Sequence, residues 1–176
     1  GLAHVPADRL VRGVNPGADI ATNILMGRQH ADPWAKNGVI RWGRVRDYAR
    51  ELMQRFDIRA KDDYVPVKTL SGGNMQKVVV AREFSQHMPL LLIDQPTRGV
   101  DIGAMEGIHD EIIRRRDAGA AILLISVQID EVLALADRVL VMFNGSISGE
   151  VDPVTTTEEE IGHLMAGGSR SKEAAA

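Results

Sequence analysis

The chain has 176 residues, 44% of them hydrophobic and 26% charged, a globular mixture long enough for one ordinary domain with its own core. No apolar run approaches the roughly 18 residues of a membrane span, and a formal net charge of −3 supplies no global basic field for non-specific nucleic-acid binding. The absence of cysteine excludes a disulfide framework and thiolate metal sites and fits a cytosolic compartment, while 4% aromatic content weakens a stacking-platform reading for single strands.

Leu2 to Pro6 reads as a short strand and has neither the basic region nor the long apolar stretch of a signal peptide. Asp19 to Met26 reads as a short helix, and Asp32-Pro33 and Asn37-Gly38 are turn signals. From Gly43 to Phe56 a stronger helix is expected, since Val45, Tyr48, Ala49, Leu52, Met53 and Phe56 fall three and four apart on one face. Residues 1–69 therefore read as mainly helical. Beyond them the rhythm changes. Ser71-Gly72-Gly73 precedes a helix over Asn74 to His87, and Leu90 to Ile93 is a continuous apolar run ending on Asp94, the pattern of a buried strand. Asp101 is placed to cap a helix reaching Ala118, which Gly119 ends. Ala121 to Ser126 is expected as a second buried strand, Ile129 to Ala136 as a helix and Val139 to Phe143 as a third strand. Asn144-Gly145 turns the chain into an edge strand, Ser146 to Val151. Thr155 to Met165 closes the pattern as a helix with Glu158, Glu159 and Glu160 in its first turn. Strands alternating with helices predict an α/β layered fold with a mainly parallel sheet.

The sharpest local feature is Leu70-Ser71-Gly72-Gly73-Asn74-Met75-Gln76-Lys77. Two glycines allow a bulky anion to approach the backbone, the serine both caps and donates, and the helix start offers oriented N–H groups. The bland alternative is a turn into a capped helix. Twenty-three residues beyond Ser71, Asp94 stands at a strand end, where a carboxylate can hold Mg²⁺ through water beside nucleotide phosphates. Plainer structural explanations compete for the smaller signals: Asp94 and Asp101 as mere caps, Arg114-Arg115-Arg116 as the solvated end of a helix, Met53 and Met142 as core filler. The five histidines show no ligand spacing.

In that order and spacing, the motifs resemble the ATP-binding cassette of ABC transporters: a signature motif at Leu70 to Lys77, a Walker B strand ending at Asp94, and a D-loop through Asp101. Val5-Pro6-Ala7-Asp8-Arg9, Pro96-Thr97-Arg98-Gly99-Val100-Asp101-Ile102-Gly103-Ala104 and Asp130-Glu131-Val132-Leu133 are most similar to the second cassette of fused two-cassette subunits that energise uptake of simple sugars such as ribose, or of nucleosides. The resemblance implies a partial P-loop NTPase fold with an α-helical subdomain over 1–69 facing a membrane permease, and the C-terminal half of the ATPase core over 70–166. A disordered tail is expected over 167–176. ATP and Mg²⁺ are the implied cofactors, with Ser71, Gly72, Gly73, Gln76 and Ala7 at nucleotide-binding positions and Asp94 at the metal position. The implied partners are the first cassette of the same subunit or a second ATPase copy, permease subunits, and indirectly a periplasmic or lipoprotein solute-binding protein, with no nucleic acid. The implied place is cytoplasmic, peripheral on the inner face of the cell membrane.

The departures from the family pattern are specific. No G-x-x-x-x-G-K-[ST] loop is present: none of Lys36, Lys61, Lys68, Lys77 and Lys172 follows a glycine, so the Walker A half is absent. The catalytic glutamate after the Walker B aspartate is Gln95, which orients water but takes no proton. The switch histidine is Val127, and the γ-phosphate-sensing position is Ala7. Together these imply a site weak or dead in hydrolysis, with Asp101 and the intact signature serving ATP held by the opposite cassette. The chain alone is expected to be inactive as an ATPase and to leave an apolar sheet edge exposed or paired with another copy. The alternative is a regulatory or scaffold module without turnover.

Overall fold

The computed structural model describes residues 1–168. In chain order the elements are β1 (Leu2–Val5), a single π turn (Arg9–Gly13), α1 (Ile20–Leu25), β2 (Ala35–Lys36), β3 (Val39–Ile40), α2 (Trp42–Arg55), a 3-10 turn (Val67–Thr69), α3 (Gly72–Phe84), β4 (Leu90–Asp94), α4 (Ile102–Asp117), β5 (Ala121–Ile125), α5 (Ile129–Leu135), β6 (Val139–Phe143), β7 (Ser146–Val151) and α6 (Glu158–Met165). The chain divides into two compact units, Gly1–Leu123 and the residues from Leu124 on. The segment boundary expected at 69/70 lies inside the first unit, where α3 packs on both α1 and α2.

The main sheet has the order β1-β4-β5. β1 and β4 run parallel, with Leu2 beside Leu90 and Val5 beside Ile93. A parallel pair this far apart in sequence needs a long crossover, and here it contains the whole helical segment. α3 packs against β1 from this crossover and is the centre of the first unit. Gln76 through Arg82 and Phe84 are all buried, so its Val78-Val79-Val80 run, a weak helix former by propensity, is held helical by tertiary packing on several sides. Ser71 caps α3 by accepting from the Asn74 N–H, and Asp101 does the same for α4 at Ala104. Gly119, at φ +91°, follows α4 in the left-handed conformation expected of a helix stop.

β5 departs from expectation: Leu123 and Ile125 are 56% and 47% exposed, so it is an outer strand with apolar side chains in the open, not a buried one. In the helical segment, Val45, Ala49 and Leu52 of α2 turn inward, and Trp34 stacks on Tyr48 at 4.7 Å between centroids. Asn37 and Gly38 both have positive φ and join the two-residue strands β2 and β3, too short to show in any period.

A buried ion cluster ties this segment together. Asp63, 1% exposed, accepts from Arg46 Nη1 at 2.7 Å and Arg50 Nε at 3.0 Å, while Arg46 Nη2 reaches Asp19 at 3.0 Å. Burial pushes the Asp63 carboxyl up, but hydrogen bonds from the two arginines outweigh it and hold it below the usual range. A lowered folded pKa means stability that is complete above the unfolded value of about 3.9 and is lost as pH falls through the folded one. Asp63→Asn should therefore flatten the acid limb of a stability-against-pH curve below about pH 5. Superimposable curves for variant and wild type would contradict this role.

The second unit packs α6 on the antiparallel β6–β7 hairpin. Val139, Val141, Val151, Ile161 and Leu164 form its core, with Ile129, Val132, Leu133 and Ala136 against it. Asn144 and Gly145, at φ +47° and +78°, make the turn that this dipeptide favours in hairpins. Met142 is 64% exposed and is not core filler; it falls on the solvent side next to a register shift between Val141 and Met142. α6 starts three residues later than expected, because Thr155 and Thr156 turn back on the Asp152 carbonyl and Thr157 supplies the cap, accepting from Glu160 N. Of the tail expected to be disordered over 167–176, Gly167, at φ +88°, and Gly168 bond back to Leu164 and His163; residues 169–176 lie outside the described residues.

Candidate functional site

Four short segments of the first unit converge at the start of α3. The first is α3's own N-terminus, where Ser71 Oγ accepts from Asn74 N at 3.3 Å and from Asn74 Nδ2 at 3.0 Å. Gly72 and Gly73 follow, only partly covered. The second is the loop after β4. A side chain carbon added at Gly73 would lie in ordinary van der Waals contact with the Gly99 carbonyl at 3.5 Å and Val100 Cα at 3.6 Å, so this loop runs close beside the glycine pair. Gly99, at φ +71°, turns that loop.

The third segment follows β1. Asp8 accepts from Leu10 N and Val11 N and so caps the π turn. Arg9 then extends to the glycine pair, and its Nη1 donates to the Arg98 carbonyl at 2.9 Å. Ala7, Asp8, Arg9, Leu10 and Arg98 line an open cleft of about 220 Å³. The fourth segment is the end of α2. Lys77 Nζ, on a side chain only 7% exposed, donates to the Asp57 carbonyl at 2.8 Å and to its carboxylate at 3.0 Å. Asn74 Oδ1 accepts from Arg59 N at 2.8 Å. The hydrogen bond from Lys77 is the main cause that lowers the Asp57 carboxyl.

Ser71, Gly72 and Gly73 are thus brought together with the 98–101 loop. Gln76 is not free to reach a ligand: it is 1% exposed, and its Nε2 donates to the Pro96 carbonyl at 2.9 Å, fixing α3 to the loop after β4. Asp101 caps α4, and the Ala104 N–H holds its carboxyl below the usual range. Asp94 stands partly buried at the end of β4, followed by Gln95 with φ +52°, an uncommon left-handed conformation for a non-glycine residue. Val127 belongs to the second unit, 69% exposed, after β5.

Among the described residues no cluster of three metal-ligating side chains exists. Mg²⁺ is bound by one or two carboxylates completed by substrate phosphates, so Asp94 fits that role together with a nucleotide and not as a site of its own. Sequence reasoning missed Arg9 and Lys77. Both act across long sequence separations that no local period reports.

A capped helix start with a bare glycine pair, set against a strand–carboxylate–loop segment of an α/β sheet, has the make-up of an anion-binding edge. Comparison places it. The model of the ABC transporter family matches residues 4–98, and the chain belongs to that family. It is 43% identical to the nucleoside import ATP-binding protein NupA of Lactococcus lactis subsp. cremoris over 168 residues, covering 96% of this chain and 33% of that protein. It is 42% identical to the guanosine import ATP-binding protein NupO of Bacillus subtilis, covering 99% and 34%, and 36% identical to the ribose import ATP-binding protein RbsA of Chromobacterium violaceum, covering 98% and 34%. The chain therefore spans about a third of the length of these relatives. A dimeric ATP-binding cassette in a post-hydrolysis state with ADP and Pi shares the fold at TM-score 0.72 and 20% identity, over 86% of this chain and 62% of that one. The fold is that of an ABC ATPase, a P-loop NTPase fold of which this chain carries part.

Proposed function

We propose that this chain is the signature-bearing part of the ATP-binding subunit of an ABC importer for nucleosides or simple sugars, lying in the second of two cassettes. The observation that supports this most is the Ser71-capped start of α3 with its glycine pair, set against the loop that leads to Asp101. Ser71, Gly72 and Gly73 present oriented N–H groups at the start of α3, and in this reading the phosphates they serve are held by a partner cassette. The relatives' names supply the cargo class, and the dimeric state of the solved cassette fits a head-to-tail pair.

In this reading water attacks the γ-phosphorus of ATP in the partner's site, giving ADP and phosphate; a bound Mg²⁺ would supply charge neutralisation at the phosphates. This chain contributes the Ser71 hydroxyl and the helix-start N–H groups to the γ-phosphate oxygens, and Gln76 and Asp101 hold that edge and its loop in place. At the chain's own Walker B strand, Asp94 remains to hold Mg²⁺, but Gln95 accepts no proton from water and Val127 and Ala7 contribute no hydrogen bond. A general base is worth roughly 10²- to 10⁴-fold in rate, so that site binds without turning over. Residues 1–69 serve as the permease-facing segment, with a solute-binding protein acting through the permease at the inner face of the membrane. No helix among the described residues is long and apolar enough to cross a membrane. The loss at Ala7, Gln95 and Val127 also favours a second reading, a regulatory or scaffold module that has no turnover of its own and serves a catalytic partner.

The purified chain should hydrolyse ATP no faster than buffer in a phosphate-release assay. Hydrolysis that disappears in Asp94→Ala would overturn the proposal, because it would show a complete site where no phosphate loop exists.

A further inference from the structure

We infer that Arg9 is a positioning residue that sets the spacing between the signature glycine pair and the loop leading to Asp101. The inference rests on the role just proposed for that edge. Three observations carry it. Arg9 Nη1 donates to the Arg98 carbonyl across 89 positions of sequence. Arg9 Nη2 lies where a side chain on Gly72 would be, 2.6 Å from the added carbon, and 3.5 Å from one added at Gly99. Finally, the arginine's own backbone is anchored: Asp8 caps the turn that starts at Arg9, and Gly13 at its end lies tight against Val79 of α3 and Arg9 Cβ.

The guanidinium is thus a planar spacer with one edge on the loop carbonyl and the other over the bare backbone of Gly72. It stands two residues after Ala7, at the start of the turn that follows β1. Lysine offers a point donor instead of a fork, so it would reach the Arg98 carbonyl without filling the gap. A side chain at position 72 would shift the flexible arginine head from this place.

Amide hydrogen exchange on the chain tests this. The reporters are the N–H groups of Arg98 and Val100, bonded to the carbonyls of Gln95 and Thr97. Arg9→Ala and Gly72→Ala should each speed their exchange about tenfold, and the double variant should be no faster than either, since residues sharing one interaction are non-additive. Arg9→Lys should recover part of the protection, and amides in α2 should not change. Unchanged exchange at Arg98 and Val100, or effects that multiply in the double variant, would overturn the inference. In the longer subunit, Arg9→Ala should lower kcat about tenfold while KM for ATP moves less than about twofold, as for misplaced groups acting in the transition state. An exchange effect without a turnover effect would overturn the functional reading of the edge and leave the spacer intact. A turnover effect without an exchange effect would overturn the spacer alone.

Discussion

Glu111→Ala should cost about 3–5 kcal/mol of folding stability, the range for removing one partner of a buried ion pair. Glu111 is 3% exposed in the middle of α4. Both its carboxylate oxygens accept from Arg55 Nη2 at 2.9 Å, Arg114 bonds to it, and Arg115 Nε stands 3.3 Å away. Arg115 is itself 7% exposed, and its Nη1 lies 3.1 Å from His87 Nδ1. An arginine only donates, so that ring nitrogen accepts. Taking away the carboxylate leaves Arg115 as a buried cation with a neutral imidazole for company, and frees the end of α2 from α4. For a chain of this size a loss of that order lowers Tm by about 10 °C. Replacing the pair together, as Glu111→Leu with Arg115→Met, should recover much of the loss, because a packed apolar pair needs no compensating charge. A single-variant cost under about 1 kcal/mol would show the cluster to be solvated.

Ser71→Arg should reduce ATP turnover by the subunit about 10²- to 10³-fold, the usual effect of removing a preorganised donor to a developing oxyanion. Three losses act together. The hydroxyl that the proposed function turns toward the phosphate is gone. So is the cap on Asn74 N, worth about 1 kcal/mol to the helix. A long cation also stands beside the positive end of the α3 dipole and beside Arg9, next to the glycine pair to which the proposed function assigns the phosphate oxygens. The variant should still fold, since Ser71 is exposed and the body of α3 is held by buried valines and Phe84.

Much of the fold is legible because the chain marks its own helix ends. Asp19, Ser71 and Asp101 all cap the helices they precede, and Leu90–Asp94 is a strand as its apolar run predicts. Arg114-Arg115-Arg116 shows the limit of local reading. All three sit in the last turn of α4, where cations suit the dipole, yet Arg115 turns inward to Glu111 and His87 instead of into solvent. A triplet of one residue type has no period, so only the packing of α4 decides which member is buried. The glycine pair at 72 and 73 and the carboxylate at 94 are equally plain in sequence. Arg9 is not, because its two contacts lie 63 and 89 positions away. Gln76 reads as a nucleotide contact because nothing in its local pattern shows that the Pro96 carbonyl already takes its amide.

The proposed function is asymmetric at its centre: the signature of this chain works in its partner's site while its own Walker B site does not turn over. The most direct measurement is steady-state ATP hydrolysis by the longer subunit carrying Ser71→Arg or Gln95→Ala in turn. Asymmetry predicts that Ser71→Arg removes nearly all turnover while Gln95→Ala changes it by less than about twofold, since glutamine already lacks the base whose removal would matter. Equal and severe loss in both variants would contradict it.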